Sequence, residues 1–421
     1  MKRVGICLLL AATVFSGIDV FSSPKVREDV PNRAYYKDVF FDCGIGLTTR
    51  DTLPAVKMLG LSTERVAFSS SEDADFQNAI IAGDTTDWNG SLLYPDGEPR
   101  FAMIFIDGGS SLTHGSSLGA RGREAIRTFV NAGGSYVGAC AGAIIASEGH
   151  PGNKHCPTYL GLWPSWLDHS GKADIRTGMT IEPNSPLLRY YDFGGDKYVA
   201  DVRHNMGNFP KDMPAGTEVL ARYDGKSIGK MNGKPSVEAY KKDAYTGRLV
   251  LCGSHPEEVT EGERRDLTAA MIRYALDGVG VAKVKGFLNN GEERVMDRYT
   301  FERKPEYTRI GDMQCHHFAV DIPKGAKDVT FTLQGAEDSH MTLAVCHDTF
   351  AFDDCADFRS TVPGAFQQFV LAKPQAGVWY VCVRCLDTPV AHDTATGHVY
   401  SRTVPADLLN GVPYSVKVTW K

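Results

Sequence analysis

Apolar and polar positions divide the chain into two regions of different pattern. Between about residues 39 and 280, short runs that are apolar throughout alternate with segments whose apolar residues recur every three or four positions. The runs that we interpret as strands are DVFFDCG, RVAF, RFAMIFIDGGS, SYVGAC and GRLVLCGS. Strands that are apolar on both faces, each followed by a helix, are typical of a parallel sheet covered by helices. The pattern therefore predicts a doubly wound, mostly parallel α/β domain.

The segments between these strands have helical periodicity. They include LPAVKMLGL, DADFQNAIIAG, LGARGREAIRTFVNAGG and EGERRDLTAAMIRYALDG. In the third segment, Ala125, Ile126, Phe129 and Val130 form one apolar face, and the pair Gly133–Gly134 ends the helix. We expect this face to pack on the sheet.

The pattern changes after about Val284. Short β-rich runs such as CHHFAVDIP, DVTFTLQG, MTLAVC, GVWYVCVRC and YSVKVTW are separated by turn residues, and no long helical period appears. This predicts an antiparallel β-sandwich. We therefore divide the chain into an α/β domain at residues 24–283 and a sandwich domain at residues 284–421.

The first 23 residues have the pattern of a secretory signal peptide. MKRVGICLLLAATVFSG has a short basic start and an apolar run too short to span a bilayer, and small residues follow it. A buried first strand or helix is the alternative. A signal peptide predicts a secreted or periplasmic protein, and no other apolar run is long enough to span a membrane.

Charge and cysteine content narrow the function further. The net charge is −6 and no basic stripe appears, so the sequence argues against a nucleic-acid partner. Of ten cysteines, nine follow the signal segment, and an odd number in an oxidising compartment predicts at least one free thiol. We expect a disulfide between Cys346 and Cys355. Cys382 and Cys385 lie three apart in a strand and face opposite ways, so neither a metal site nor a cofactor is predicted.

Cys140 lies where a strand turns directly into a helix. In GGSYVGACAGAIIAS, the small residues Gly138 and Gly142 allow a sharp turn that forces Cys140 into a strained conformation at a helix N-terminus. Such a position exposes a side chain and favours a thiolate. A small cysteine packed in the core is the alternative, and this motif alone does not decide between them.

Two further motifs belong to the same edge of the predicted sheet. In LVLCGSHPEE, His255 and Glu257 follow an apolar strand and are two residues apart, so Glu257 can orient the His255 imidazole. In FIDGGSS, backbone N–H groups of Gly108 and Gly109, together with that of Ala141, are candidates for an oxyanion hole. A thiol, a base and a carboxylate form the arrangement used in acyl transfer.

The order DGG, GACAG and SHPE resembles the class I glutamine amidotransferase-like superfamily, whose α/β fold is flavodoxin-like. Within it, FIDGGSS through SHPE is most similar to the domain at the N-terminus of biotin–protein ligases. The resemblance covers about residues 39–280. It implies that Cys140 is the nucleophile, His255 the base and Glu257 its partner. Glutamine amidotransferases carry a glutamine four residues after the nucleophile, where this chain has Ile144, and no synthetase or ligase core follows.

The resemblance also indicates residues that border a substrate cleft. A comparable segment of the ligase-type domain lies beside its active site, so Arg203, His204 and Asn205 in YVADVRHNMGNF are candidates for substrate contacts. A solvated loop is the alternative for them. His114, which follows the DGGSS turn, is expected to line the same opening or to be exposed. The C-terminal region resembles the bacterial pre-peptidase C-terminal domain, which implies an accessory role toward a cell surface or a glycan or peptide ligand.

Three hypotheses follow for the function. The first is an exported thiol hydrolase that acts on an unidentified amide or acyl bond in a small molecule or peptide. The second is a binding module that keeps the fold without turnover. The third is a structural surface protein in which Cys140 forms a disulfide with Cys156 or Cys252.

Overall fold

The structure is a computed structural model. It describes residues 25–48, 53–67, 81–83, 88–352, 354–360, 362–388 and 406–421. The predicted signal peptide and most of the predicted helix at DADFQNAIIAG lie outside these residues.

The N-terminal region is built on one large sheet. Its ten strands are β1 Lys37–Cys43, β2 Thr63–Ala67, β3 Phe101–Ile106, β4 Ser135–Ala139, β5 Ser147–Gly149, β6 Trp163–Ile181, β7 Tyr198–Pro210, β8 Thr217–Asp224, β9 Pro235–Tyr240 and β10 Leu249–Cys252. The strand order is β2-β1-β3-β4-β10-β9-β8-β6-β5, and β7 pairs with β6. The five strands from β2 to β10 in this order are all parallel, and β3, β4 and β10 are wholly buried. The predicted α/β class is confirmed.

Helices cover both faces of the parallel strands. They are α1 Pro54–Leu59, α2 Ser111–Ser117, α3 Gly119–Ala132, α4 Ala141–Ala146 and α5 Gly262–Leu276. Helices α1 and α5 pack in one hydrophobic core, and α3 and α4 pack in the other. The four residues predicted for the apolar face of α3 are all buried, as expected.

The other half of the sheet is an antiparallel extension that the sequence did not reveal. Strand β9 is antiparallel to β10, β8 to β9, and β6 to both β8 and β7. The middle of β6 and alternate residues of β7 and β8 are exposed or half-buried, so these strands lack the continuous apolar runs that mark β3 and β10. The β6–β7 hairpin reaches the carboxyl ends of β4 and β10.

The C-terminal region is an antiparallel β-sandwich, as predicted. Its strands are β11 Val284–Phe287, β12 Glu293–Met296, β13 Cys315–Ile322, β14 Val329–Gly335, β15 Met341–His347, β16 Phe358–Arg359, β17 Phe366–Leu371, β18 Gly377–Cys385 and β19 Tyr414–Thr419, with a short helix α6 at Ala406–Leu409. One sheet has the order β11-β13-β18-β15-β16 and the other β12-β19-β14-β17. Side chains alternate between core and solvent along β14 and β19.

The predicted disulfide between Cys346 and Cys355 is not formed, which corrects that expectation. Every cysteine of the described chain is a free thiol, including Cys140, Cys156 and Cys252. The Cys346 side chain packs with Ala351 and Cys382. Cys355 is held by two backbone hydrogen bonds to Phe352. In the described part of the chain, no helix has the length and apolar composition needed to cross a membrane.

Candidate active site

The turn between β4 and α4 has the strained geometry expected from the sequence. Cys140 has φ 47° and ψ −104°, a conformation that a non-glycine residue rarely adopts and that costs about 1–3 kcal/mol. The neighbouring glycines are required by close packing. A Cβ at Gly142 would lie 1.9 Å from the carbonyl oxygen of Ile106, and one at Gly138 would lie 2.6 Å from the carbonyl carbon of Gly142. The turn therefore presses directly on β3, and only glycine fits at both positions.

His255 and Glu257 form a buried pair beside this turn. Both follow β10, whose parallel neighbour is β4, and their side chains are 7% and 2% exposed. His255 Nδ1 lies 2.7 Å from Glu257 Oε1, and the Cys140 thiol lies close enough to the His255 ring to raise its pKa. Glu258 points away, toward Nη1 of Arg203 at 3.1 Å. The structure thus brings Cys140, His255 and Glu257 together in the order in which a thiol, a base and an orienting carboxylate act.

Burial and neighbouring charges shift the pKa values of this pair. Burial alone would lower the pKa of His255, but the contact with Cys140 and the nearby acids raise it above its ordinary value. Burial raises the pKa of Glu257 to about 7. Glu257 therefore titrates near neutral pH, the range in which a proton-transferring side chain is most effective, and His255 holds its proton to a higher pH than a free imidazole does.

Asp107 is a fourth member of the site that the sequence analysis missed. It directly follows β3, is 3% exposed, and one of its carboxyl oxygens lies within 4.8 Å of one from Glu257. Burial first, and then the charge of Glu257, raises the pKa of Asp107 well above its ordinary value. Asp107, His255 and Glu257 each offer one ligand atom within 4.8 Å of the others, a spacing that a metal ion could bridge. The signal was the Asp of the DGG motif itself.

The two glycines of that motif have different roles from those predicted. The Gly108 N–H donates to Asp107 Oδ1 at 2.6 Å, so it is not available to an oxyanion, which corrects the prediction for this residue. A Cβ at Gly108 would lie 2.2 Å from Cε1 of His255, so Gly108 instead makes room for the imidazole ring. The N–H groups of Gly109 and Ala141 have no acceptor among the described residues and stay candidates for the oxyanion hole.

His114 lies in the core, not at the opening of the site. Its side chain is fully buried, Nε2 lies 2.9 Å from Asp42 Oδ2, and Nδ1 lies 3.2 Å from the carbonyl oxygen of Ile45. Each ring nitrogen is therefore satisfied by a neighbour within the protein. The expectation that His114 contacts substrate is wrong for this structure, because no face of the ring is accessible.

The segment from Arg203 to Asn208 lies over Cys140 and His255, and a substrate contact of Arg203 or Asn205 stays a prediction. The His255 N–H donates to the Arg203 carbonyl at 3.0 Å, and the Cys140 thiol lies 3.9 Å from the carbonyl oxygen of Asn205. The Asn208 side-chain amide donates to the Cys140 carbonyl at 3.4 Å. Asn208 was not predicted, because its contact depends on the pairing of β6 and β7.

His204 is the exception within this segment. Its side chain is fully buried, Nδ1 is hydrogen-bonded to the Ser254 hydroxyl, and the ring lies edge-on to Tyr223 with centroids 5.1 Å apart. Burial first, and then the charge of His255, lowers the pKa of His204 to about 4. The His204 ring is neutral and buried, so the expectation that it contacts substrate directly is corrected. The neighbouring Asn205 is exposed.

The chain was compared with protein families and with solved structures. The family model described as "Biotin-protein ligase, N terminal" matches residues 95–150, the segment that contains Asp107, both glycines of the DGG motif and Cys140. A solved glutamine amidotransferase matches 56% of this chain and 98% of its own, with 17% identity and a TM-score of 0.37. The pre-peptidase C-terminal domain of a collagenase from Bacillus anthracis matches 33% of this chain and 98% of its own, with 12% identity and a TM-score of 0.19.

Among curated proteins, a biotin–protein ligase from Schizosaccharomyces pombe is 25% identical over 236 residues. The alignment covers 50% of this chain and 35% of the relative, so the chain spans about a third of that protein's length. The family match falls within the α/β region. The chain is therefore similar, over the segment that forms the strained turn, to the N-terminal domain of biotin–protein ligases, which supports the superfamily resemblance predicted from its motifs.

Proposed function

We propose that this protein is an exported cysteine-dependent hydrolase that cleaves an amide or related acyl bond through Cys140, His255 and Glu257. The observation that carries the proposal is the strained Cys140 at a strand–helix turn, in contact with an imidazole that a buried carboxylate orients. Strain at a single non-glycine residue is characteristic of functional sites, because the surrounding structure must hold it. Export rests on the N-terminal sequence pattern alone.

The proposed reaction has two steps. Cys140 Sγ attacks the substrate carbonyl carbon while His255 accepts the thiol proton, and that proton then passes to the leaving amine or alcohol. The resulting acyl-enzyme is attacked by water, which His255 deprotonates, and this releases the acid and regenerates the free thiol. The N–H groups of Gly109 and Ala141 would hold the oxyanion in both steps.

Ile144 argues against glutamine as the substrate. It occupies the position where the glutamine amidotransferases carry a glutamine, and its side chain packs against the core that contains α3 and α4. The region that follows the α/β domain is a sandwich, so no synthetase core in the described chain would accept ammonia. We propose that the sandwich binds a glycan, peptide or cell surface and thereby places the hydrolase near its substrate.

A binding module without turnover is the second candidate, and one observation favours it. Cys140 is only 6% exposed, beneath the carbonyl oxygen of Asn205. Met206 and Gly207, the next two residues, both have positive φ, at 74° and 53°. Substrate entry therefore requires this part of the β6–β7 hairpin to move, whereas a binding module would not need to expose the thiol.

Activity measurements separate the two candidates. Wild type, Cys140→Ala and the matched control Cys156→Ala are assayed on a panel of amides and esters. We expect Cys140→Ala to lose at least about 1,000-fold in kcat, because removal of a nucleophile leaves only binding and oxyanion stabilisation, while Cys156→Ala keeps its rate. Equal rates for wild type and Cys140→Ala would remove Cys140 from the reaction. Labelling with iodoacetamide across pH then shows whether the thiol is accessible at all.

A further inference from the structure

Asp107 and Glu257 are two buried acids that approach each other from different strands. Asp107 directly follows β3, Glu257 follows β10, and one carboxyl oxygen of each lies within 4.8 Å of the other, in a group that also includes a ring nitrogen of His255. Burial raises the pKa of both groups; beyond that, Glu257 raises the pKa of Asp107 further, while Asp107 lowers the pKa of Glu257. No arginine or lysine of the described chain forms an ion pair with either carboxyl group.

One carboxyl oxygen of this pair, Glu257 Oε2, has no hydrogen-bond donor among the described residues. Glu257 Oε1 faces His255 Nδ1, while Glu257 Oε2 is buried and receives no N–H or hydroxyl hydrogen from the described residues. Asp107 Oδ1 accepts the Gly108 N–H, which leaves Oδ2 for another role. Two ionised carboxylates can only accept hydrogen bonds, so a contact between them needs a proton or a cation.

We propose that Asp107 and Glu257 share one proton, so that Asp107 donates a hydrogen bond to the Glu257 carboxylate and holds it against His255. Asp107 is then a positioning residue that acts through Glu257, and this role rests on the hydrolase function proposed above. The pair carries one negative charge, which is what His255 requires when it becomes positively charged during proton transfer.

The charges around the pair favour one proton over none. The titratable and charged groups that act on the pair are His255 and Glu258 from the segment after β10, Arg203 from β7 and Cys252 at the end of β10. Cys140 and His204 lie beyond them, next to His255. Arg203 is partly exposed and already paired with Asp174 and Glu258. Its charge lowers the pKa of Glu257, but it is shared with two exposed acids and does not stabilise two buried negative charges.

A divalent cation is the alternative way to join the two carboxyl groups. It would need His255 as a third ligand, because the atoms of this group are spaced for it. That ligand role conflicts with the hydrogen bond that His255 already makes to Glu257 and with its contact to the thiol. The geometry therefore favours the proton.

Kinetics of two Asp107 variants test the positioning role, measured on a substrate from the panel above. Asp107→Ala removes the donor, and we expect kcat to fall about 10- to 100-fold with little change in KM. Asp107→Asn supplies a neutral N–H donor of similar shape, and we expect it to recover at least about tenfold of that loss. A rate for Asp107→Asn as low as that of Asp107→Ala would overturn the proposal, since the carboxyl would then be needed for its charge.

The pH profile gives a second kinetic readout. In the wild type, kcat should fall on the alkaline side of its profile as the shared proton is lost, because burial and the charge of Glu257 raise the pKa of Asp107 well above its ordinary value. Asp107→Asn cannot lose this proton, so its alkaline decline should move upward or vanish. Identical alkaline limbs in the two proteins would contradict the proposal.

Infrared spectroscopy tests the shared proton without any substrate, so its result does not depend on the hydrolase function. Glu238, whose buried carboxyl has a pKa raised to about 8, is first replaced by Gln so that it does not contribute. In this background we expect a protonated-carboxyl C=O band at pH 7 that disappears in Asp107→Asn. Absence of the band, or one bound metal ion per chain in the purified protein, would overturn the proposal. Full activity of Cys140→Ala with the band present would instead refute only the hydrolase.

Discussion

Two groups of buried acids in this protein are held in opposite ways. At the junction of the α/β region and the sandwich, Asp312 is paired with Arg100, and Asp96 Oδ2 lies 2.5 Å from Lys285 Nζ and 3.2 Å from His316 Nε2. At the candidate active site, Asp107 and Glu257 face each other without a lysine or arginine partner, and the His255 imidazole beside Glu257 is the group that could carry a positive charge. Burial would raise the pKa of Asp96, but Lys285 and His316 hold it well below its ordinary value, whereas the pKa of Asp107 is raised.

The difference teaches how to tell a structural acid from a functional one. A buried carboxylate with a matched cation stays ionised over the whole physiological range and joins two parts of the chain. A buried carboxyl without a cation retains its proton to higher pH and can take part in proton transfer. Both kinds occur within this chain, separated along the sequence by only ten residues between Asp96 and Asp107.

The largest expected effect on stability comes from removing the arginine of the buried Arg100–Asp312 pair. Arg100→Met leaves Asp312, which is fully buried, without its partner, and we expect the free energy of unfolding to fall by about 3–5 kcal/mol. Urea denaturation at pH 7 measures it. The matched control is Arg27→Met, which breaks the exposed pair with Asp29 and should leave the free energy of unfolding nearly unchanged. Similar losses in the two variants would mean that burial does not distinguish these pairs.

The next largest effect concerns a third buried acid that has no basic partner among the described residues. This acid is Glu238 on β9, and burial raises the pKa of its carboxyl to about 8. In the unfolded chain this group ionises near its ordinary pKa, whereas in the folded chain it ionises near pH 8. The stability is therefore highest below the ordinary pKa and falls as pH rises from there toward 8. At pH 7 we expect Glu238→Gln to be more stable than wild type by roughly 3 kcal/mol, with little difference at pH 5. Thermal or urea unfolding at both pH values measures the difference.

Two control variants test whether the pH-dependent gain in stability of Glu238→Gln requires an acid that is both buried and without a basic partner. Glu337→Gln, at an exposed position, should leave the pH dependence unchanged. Asp96→Asn should act in the opposite direction, since the lowered pKa of Asp96 contributes stability above its ordinary pKa that is lost as pH falls. A gain in stability from Asp96→Asn at pH 7 would contradict the distinction between the two groups.

The sequence predicted the parts of the fold and the site that depend on local pattern. The continuous apolar runs of β3, β4 and β10 identified the parallel strands, and the small residues around Cys140 identified the strained turn. His255 and Glu257 were recognisable because their spacing of two residues places both side chains on one side of an extended segment.

The rest depends on contacts between distant segments. Asp107 meets Glu257 across 150 residues, and nothing in its local sequence shows that its carboxyl faces another acid instead of solvent. His114 lies next to a motif of the site, yet its pairing with Asp42 turns it into the core. Strands β6–β8 were missed because they are partly exposed, and β9 because its buried residues include Ser236 and Glu238, so none of the four has a continuous apolar run. The contact of Asn205 with Cys140 depends on their pairing.

The smallest expected effect connects the exposed surface to the uncompensated site. Glu258 is 44% exposed and paired with Arg203, so Glu258→Gln should change the free energy of unfolding by less than about 1 kcal/mol. Its charge nevertheless helps to raise the pKa of His255, so its removal should lower that pKa. Titration of the His255 ring by NMR measures the shift, with Glu337→Gln as an exposed control of the same chemistry. An unchanged His255 pKa would show that the imidazole responds only to the buried groups of the site, Cys140, Asp107 and Glu257, and not to charges on the exposed surface.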